Sequence, residues 1–199
     1  MYYLTYTGFD GTNALGCLAT STDLIHFEKK GIMVPQITYK EFHQLSDINP
    51  SIDSKYFRFN QHEGIIEKDG IKILVWDKNL IFFPRKINGK FCFMHRIRPE
   101  IQIVVAVQKL EDLTDIGGGC PPIETEFGWL MIYHGVKDSL KGYVYSACAA
   151  LLDLNNPQIE IARLPYPLFK PEFVWELKGE VNNVCFPTGS VVFDDKLYI

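Results

Sequence analysis

Three cations stand at the two ends of one segment, WDKNLIFFPRKINGKFCFMHR from Trp76 to Arg96: Lys78 at one end, His95 and Arg96 at the other. Between them Ile87-Asn88-Gly89-Lys90 is a tight-turn sequence, with Asn and Gly where the backbone must turn left-handed. Two strands joined by such a turn return their far ends to one sheet edge, which lets the three cations face one ligand. The ligand for that cluster is an anion. Arg offers a planar fork of donors, Lys a point charge, and His a donor whose charge responds to what it binds, a set suited to phosphate.

A second aromatic-cation strand end follows at Tyr133-His134, inside WLMIYHG. No other His or Cys lies at ligand spacing from His95 or His134, so no metal site is expected. Glycosidic chemistry needs a carboxyl group to protonate the leaving oxygen, and the candidates are Asp10, Asp77, Glu124, Glu126 and Glu180. Asp10 sits in a Phe-Asp-Gly turn, where its residue type is also explained by turn chemistry. Glu124 and Glu180 precede strands that can line a cavity, but neither has a second carboxylate at a diagnostic spacing. The Gly117-Gly118-Gly119-Cys120-Pro121-Pro122 loop lacks the Gly-Lys-Ser/Thr ending of a nucleotide loop, and the chain has no GxSxG elbow and no CxxC pair.

The elements that must carry these groups read as β-strands. Short apolar-alternating runs are separated by Gly, Pro, Asn and Asp turns: Met1 to Thr7, Ala14 to Thr20, Gly31 to Pro35, Gly64 to Lys68, Ile71 to Trp76, Glu100 to Gln108, Ile123 to Thr125, Gly128 to Gly135 and Gly142 to Asp153. Thr38 to Glu63 is less regular and reads as an excursion with one helical turn near Tyr39 to Leu45. No amphipathic helix longer than two turns is expected. A weak repeat runs through the chain, aligning FFPRKINGKFCFMHR with PPIETEFGWLMIYHG and FPTGSVVFDDKLYI, each of the first two followed by a second alternating strand. A β-meander recurring roughly every 40 to 65 residues points to propeller blades, because one such sheet cannot bury both its faces alone.

Composition sets the outer bounds. The formal charge of -4 and pI near 5.7 disfavour nucleic acid as a partner. The five cysteines are odd in number, widely spaced and set in apolar runs, which reads as reduced thiols in a cytoplasmic protein. No apolar run reaches membrane-span length and no leader pattern precedes the first strand, so no membrane partner is expected. Strand patterns run to both termini, giving the expectation of a single domain, 1–199, truncated at both ends.

Taken together, DKNLIFFPRKINGKFCFMHR, GGGCPPIETEFGWLMIYHGV, YSACAALLDLNNP and NNVCFPTGSVVFDDKLYI, preceded by LTYTGFDG and LGCLATSTDLIHFEKKG, resemble in order the blade motifs of glycoside hydrolase family 130, the β-mannoside phosphorylases and related β-mannosidases. The resemblance covers most of the chain except Tyr39 to Glu63. It implies an all-β fold of the five-bladed β-propeller type, here an incomplete propeller of roughly three to four blades.

The same resemblance implies phosphate-binding positions at Lys78, His95, Arg96 and Asn13, with Thr12 standing where many members carry Arg. The implied sugar-binding set is Tyr133, His134, Glu124, Glu180 and Asp10. The family's general acid is an Asp in an Asp-Pro-Arg motif upstream of the strand matching YYLTYTG; the chain has no such motif, so the acid is expected before Met1 and the 199 residues are expected to be inactive alone. The implied reaction is inverting transfer from a β-mannoside to inorganic phosphate, giving mannose 1-phosphate, with phosphate as co-substrate and no cofactor. The partners are a β-mannoside oligosaccharide and phosphate; a homo-oligomer is left open. Two alternatives stand beside it: an inverting β-mannosidase of the same family, and a non-catalytic carbohydrate-binding propeller fragment that uses Tyr133, Trp129 and Phe83.

Overall fold

The structure is a computed structural model that describes residues 1–50, 52–61, 67–68, 70–105, 120–139 and 142–199. The sequence-predicted strand from Gly64, the Asp69 of the Asp-Gly turn, the end of the strand to Gln108 and the Gly117–Gly119 loop fall wholly or partly outside the described residues. The chain divides into two compact units, one from the described residues of Met1–Phe82 and Lys90–Gly118, the other from those of Phe83–Gly89 and Gly119–Ile199.

In the first unit β1 (Tyr2–Phe9), β2 (Ala14–Ser21) and β3 (Glu28–Ile32) form an antiparallel meander in chain order. All eight residues of β2 are buried, so its run of small and apolar residues, ALGCLATS, is a two-sided interior strand rather than an alternating one. The strand packs closely because Gly16 has no side chain: a Cβ there would meet Leu80 Cβ at 3.0 Å and Val34 Cγ1 at 3.1 Å. A two-stranded ribbon, β4 (Glu67–Lys68) with β5 (Ile71–Lys72), precedes the second meander, β6 (Lys78–Phe82), β7 (Cys92–Arg96) and β8 (Gln102–Val105). Between β6 and β7 the expected tight turn is present, with Asn88 at φ 51° and Gly89 at φ 77°.

The irregular excursion is more helical than its sequence suggested. The helix α1 (Tyr39–Ile48) runs ten residues rather than one turn. A capping box starts it: the Glu41 N–H donates to Thr38 Oγ1 at 3.2 Å, and the Thr38 N–H donates to Glu41 Oε2 at 2.8 Å. A second helix, α2 (Ser54–Phe59), is capped by Asp53, whose Oδ1 accepts from the Lys55 N–H at 2.9 Å. Phe42 on α1 packs with Val75 and Ile97, and Ile37, Tyr39, Leu45, Tyr56 and Phe57 close around them. The excursion therefore braces the chain beside Lys78 and beside Arg96.

In the second unit β9 (Ile123–Thr125), β10 (Gly128–Ser139), β11 (Gly142–Leu152) and β12 (Glu160–Arg163) form a four-stranded antiparallel sheet, ordered β12-β11-β10-β9. Trp129 is fully buried beneath the Phe83 ring at 5.2 Å, and its Nε1 donates to Leu154 O at 3.1 Å. β12 was not legible in the sequence, since its four residues are all exposed and show no alternation. A short helix, α3 (Val174–Leu177), and a hairpin of β13 (Val191–Phe193) and β14 (Lys196–Tyr198) complete the unit. Among the described residues no helix is long and apolar enough to cross a membrane, and all five cysteines are free.

Candidate functional site

The first unit gathers Lys78, His95 and Arg96 at the open end of the β6–β7 hairpin. Lys78 and Arg96 are direct antiparallel partners, so their side chains share a face. Lys78 Nζ lies 4.8 Å from the centroid of the Trp76 ring. Burial, then the charges of Arg96 and Arg98, hold the Lys78 ammonium below the usual lysine range. Arg98 is thus a third arginine or lysine of the cluster. Sequence reasoning passed over it because it lies beyond the strand end, two residues from Arg96 in the same alternating phase.

His95 departs from the simplest expectation that all three cations face together. Strand alternation turns it to the opposite face of β7 from Arg96, where it is 2% exposed and its Nδ1 lies 2.8 Å from Oδ1 of Asp77, also 2% exposed. The backbone at Arg98 is fixed by Asn60, whose Nδ2 donates to Arg98 O at 2.7 Å. Gln102 clamps Ile97 from both sides, Oε1 accepting from its N–H at 2.8 Å and Nε2 donating to its carbonyl at 3.0 Å.

Asn13 is buried close by in the fold of this unit. Its Nδ2 donates to Asp10 Oδ2 at 3.1 Å and to Lys72 O at 2.9 Å, while its Oδ1 accepts from the Leu74 N–H at 2.8 Å. One bond from the amide nitrogen closes the Asp10 turn, while the other and the Oδ1 tie the start of β2 to the 72–74 segment. Asp10 accepts from the backbone N–H groups of Asn13 and Thr12 at 2.6 and 2.8 Å, bonds that hold its carboxyl below the usual carboxylate range. That is the turn chemistry its sequence context suggested. Thr12 contributes its carbonyl, which accepts from Trp76 Nε1 at 2.9 Å.

The second unit carries Glu124, Tyr133, His134 and Glu180. Tyr133 is half-buried, and burial pushes its phenol above the ordinary tyrosine value. Its hydroxyl accepts from Arg163, whose guanidinium also lies 5.3 Å from the ring centroid and is gripped by Glu160. His134 meets the Phe186 ring edge-on at 4.7 Å. Glu124 is paired with Arg85, whose Nε donates to it at 2.8 Å, and this bond holds its carboxyl below the usual range. Glu180 is exposed. Trp129 and Phe83, the aromatics of the binding-module alternative, are interior residues and present no face to a sugar. Among the described residues no group of three or more His, Cys, Asp or Glu is arranged to hold a metal ion.

Against known proteins, a family model described as beta-1,4-mannooligosaccharide phosphorylase matches residues 1–199. The 1,2-beta-oligomannan phosphorylase of Thermoanaerobacter sp. (strain X514) is 31% identical over 217 residues, covering 100% of this chain and 59% of that protein. The beta-1,2-mannobiose phosphorylase of the same organism is 31% identical over 218 residues, covering 91% of this chain and 70% of that protein. Among solved structures, the beta-1,2-mannobiose phosphorylase from Listeria innocua, in complex with beta-1,2-mannobiose, superposes with a TM-score of 0.67 at 24% identity over 98% of this chain and 50% of that one. This last likeness is one of fold, and it identifies the antiparallel meanders as blades of the five-bladed β-propeller type. The chain spans 59% of the length of the first of these relatives. With the whole sequence matched by the family model, the chain belongs to glycoside hydrolase family 130.

Proposed function

We propose that this chain supplies phosphate- and sugar-binding residues of a β-mannoside phosphorylase, which transfers a mannosyl group from a β-mannoside to inorganic phosphate. The observation that carries the reading is the Lys78–Arg96 cross-strand pair with Arg98 beside it. Burial first, and then the charges of Arg96 and Arg98, hold the Lys78 pKa below the usual range, and a bound dianion would relieve the like-charge part of that cost. His95 joins them as a donor, and the Asn13 backbone region frames the same unit. Tyr133, His134, Glu124, Glu180 and Asp10 are the corresponding sugar-side candidates, with Tyr133 the best built of them because Arg163 fixes its hydroxyl.

In the reaction, a phosphate oxygen attacks the anomeric carbon from the face opposite the leaving oxygen. The glycosidic C–O bond breaks as a carboxylic acid protonates that oxygen, and the β-mannoside becomes α-mannose 1-phosphate with release of the shortened acceptor. The acid is the Asp of the family's Asp-Pro-Arg motif, a sequence absent from these 199 residues. The cations hold the nucleophile in line and offset its charge, contributions of orientation and electrostatics together. Phosphate is the co-substrate and no cofactor takes part. The five free thiols fit the reducing cytoplasm.

The test is substitution in the full-length protein. Lys78→Ala and Arg96→Ala are each expected to raise the KM for phosphate about tenfold or more, the scale of a charge-assisted hydrogen bond, with the KM for mannoside changed much less. Equal rates with wild type at limiting phosphate would refute the assignment.

A further inference from the structure

Between β12 and β13 the second unit forms a cleft of about 540 Å³, a size common among small-molecule sites, and none of its lining residues has a part in the reaction derived above. Tyr166, Phe169, Lys170, Glu172, Phe173 and Glu176 are among those residues. Backbone bonds to β11 hold one wall: the Leu168 N–H donates to Ala147 O at 2.8 Å, and the Ala147 N–H donates to Phe169 O at 3.0 Å. The other wall is tied by the Val184 N–H, which donates to Glu176 O at 2.9 Å. Glu176 Oε2 accepts from the N–H groups of Glu172 and Phe173 at 2.8 and 2.9 Å, so its carboxylate is spent on fixing the turn into α3. Trp175 stacks on Phe173 with the rings 8° from parallel and their centroids 4.9 Å apart. Stacking holds Phe173 in place while leaving it 57% exposed, and Tyr166 is 66% exposed. At the rim Lys170 Nζ lies 3.8 Å from Glu172 Oε1, so both signs of charge stand together.

Resting on the β-mannoside reading, we propose that this cleft is a second carbohydrate-binding surface, which takes part of a β-mannoside chain on the Tyr166 and Phe173 rings apart from the reacting glycosidic bond. Exposed aromatic rings rimmed by polar groups mark binding surfaces rather than ordinary exterior. A pyranose presents C–H groups on its faces and hydroxyls around its edge. The aromatic rings meet the first, while the Lys170 ammonium donates to hydroxyl oxygens and the Glu172 carboxylate accepts from hydroxyl protons. A neutral sugar suits a rim on which opposite charges offset one another, whereas an anion or a cation meets its own sign there. The rigid turn supplies the remaining requirement, since a surface already ordered loses little freedom when it binds. A chain held here has its reacting end delivered to the enzyme more often than a disaccharide that cannot span both places.

The experiment uses the full-length protein, with β-mannohexaose and β-mannobiose of one linkage as probes. Phe173→Ala and Tyr166→Ala are each expected to raise the KM for the hexaose about fivefold, the scale of one aromatic contact, with the KM for the disaccharide within about twofold of wild type. Phe173→Tyr should restore the hexaose KM. A second readout needs no turnover: migration of the wild-type protein through a native gel containing β-mannan should be retarded even with β-mannobiose in excess, and Phe173→Ala should abolish that retardation. Acrylamide should quench the fluorescence of Trp175, isolated as the difference from Trp175→Phe, in the sugar-free protein. Unchanged hexaose kinetics and gel migration in both alanine variants overturn the inference, as does an equal rise in both KM values or a Trp175 shielded from acrylamide before sugar is added. Retardation that depends on Phe173 in a protein whose turnover is indifferent to phosphate removes the phosphorylase reading and leaves the cleft standing.

Discussion

Lys78 carries its charge where the surroundings disfavour it, half-buried and facing Arg96 and Arg98. Its folded pKa lies below its unfolded value, so the charged form costs stability in full at neutral pH, and that cost fades as pH rises through the folded pKa toward about 10.4. Lys78→Met is therefore expected to raise Tm at pH 7 and to lose most of that gain near pH 10, while weakening phosphate binding; a lower Tm at pH 7 would contradict the repulsion argument. The Lys78–Arg96 pairing was legible because the Asn88-Gly89 turn sets the register of its hairpin. The Asp77–His95 contact was not, because two residues eighteen positions apart meet only through a bulge at Asn79 that no pattern announces. Nor was the fate of Asn13, whose amide reaches backbone groups 59 and 61 residues away.

At the level of elements, most strands were legible from alternation and turn residues, β12 excepted; β2 reads in the sequence as one more alternating strand, whereas all eight of its residues are buried. What sequence reading shortened was α1. Its Thr-x-x-Glu capping box was there to be read, but with one fully buried residue, Phe42, the helix offers little apolar periodicity. Its stability comes from packing on Val75 and Ile97, residues distant in sequence. Because that packing braces both ends of the cation hairpin, the cap matters to the site's support rather than to its chemistry. Thr38→Ala is expected to cost about 1 kcal/mol, a fall in Tm of about 2–4 °C, with kinetic constants near wild type below the transition. A thermal melt checks the first and steady-state kinetics the second; an unchanged melt would mean that the cap contributes nothing to the fold.

For the whole molecule, the repeat in the sequence and the meanders in the structure have one physical cause. A three- or four-stranded antiparallel sheet with two apolar faces needs a neighbour on each side, and repeating the sheet supplies it. The cations stand in one unit, while Tyr133 and His134 stand in the other. The central claim is phosphorolysis, and 31P NMR of the full-length protein turning over β-1,2- or β-1,4-mannobiose in phosphate buffer tests it most directly. The account predicts an α-mannose 1-phosphate resonance that grows in step with one free mannose per disaccharide, and no turnover when phosphate is left out. Release of two mannoses per disaccharide with the phosphate signal unchanged, at a rate indifferent to phosphate, would contradict it.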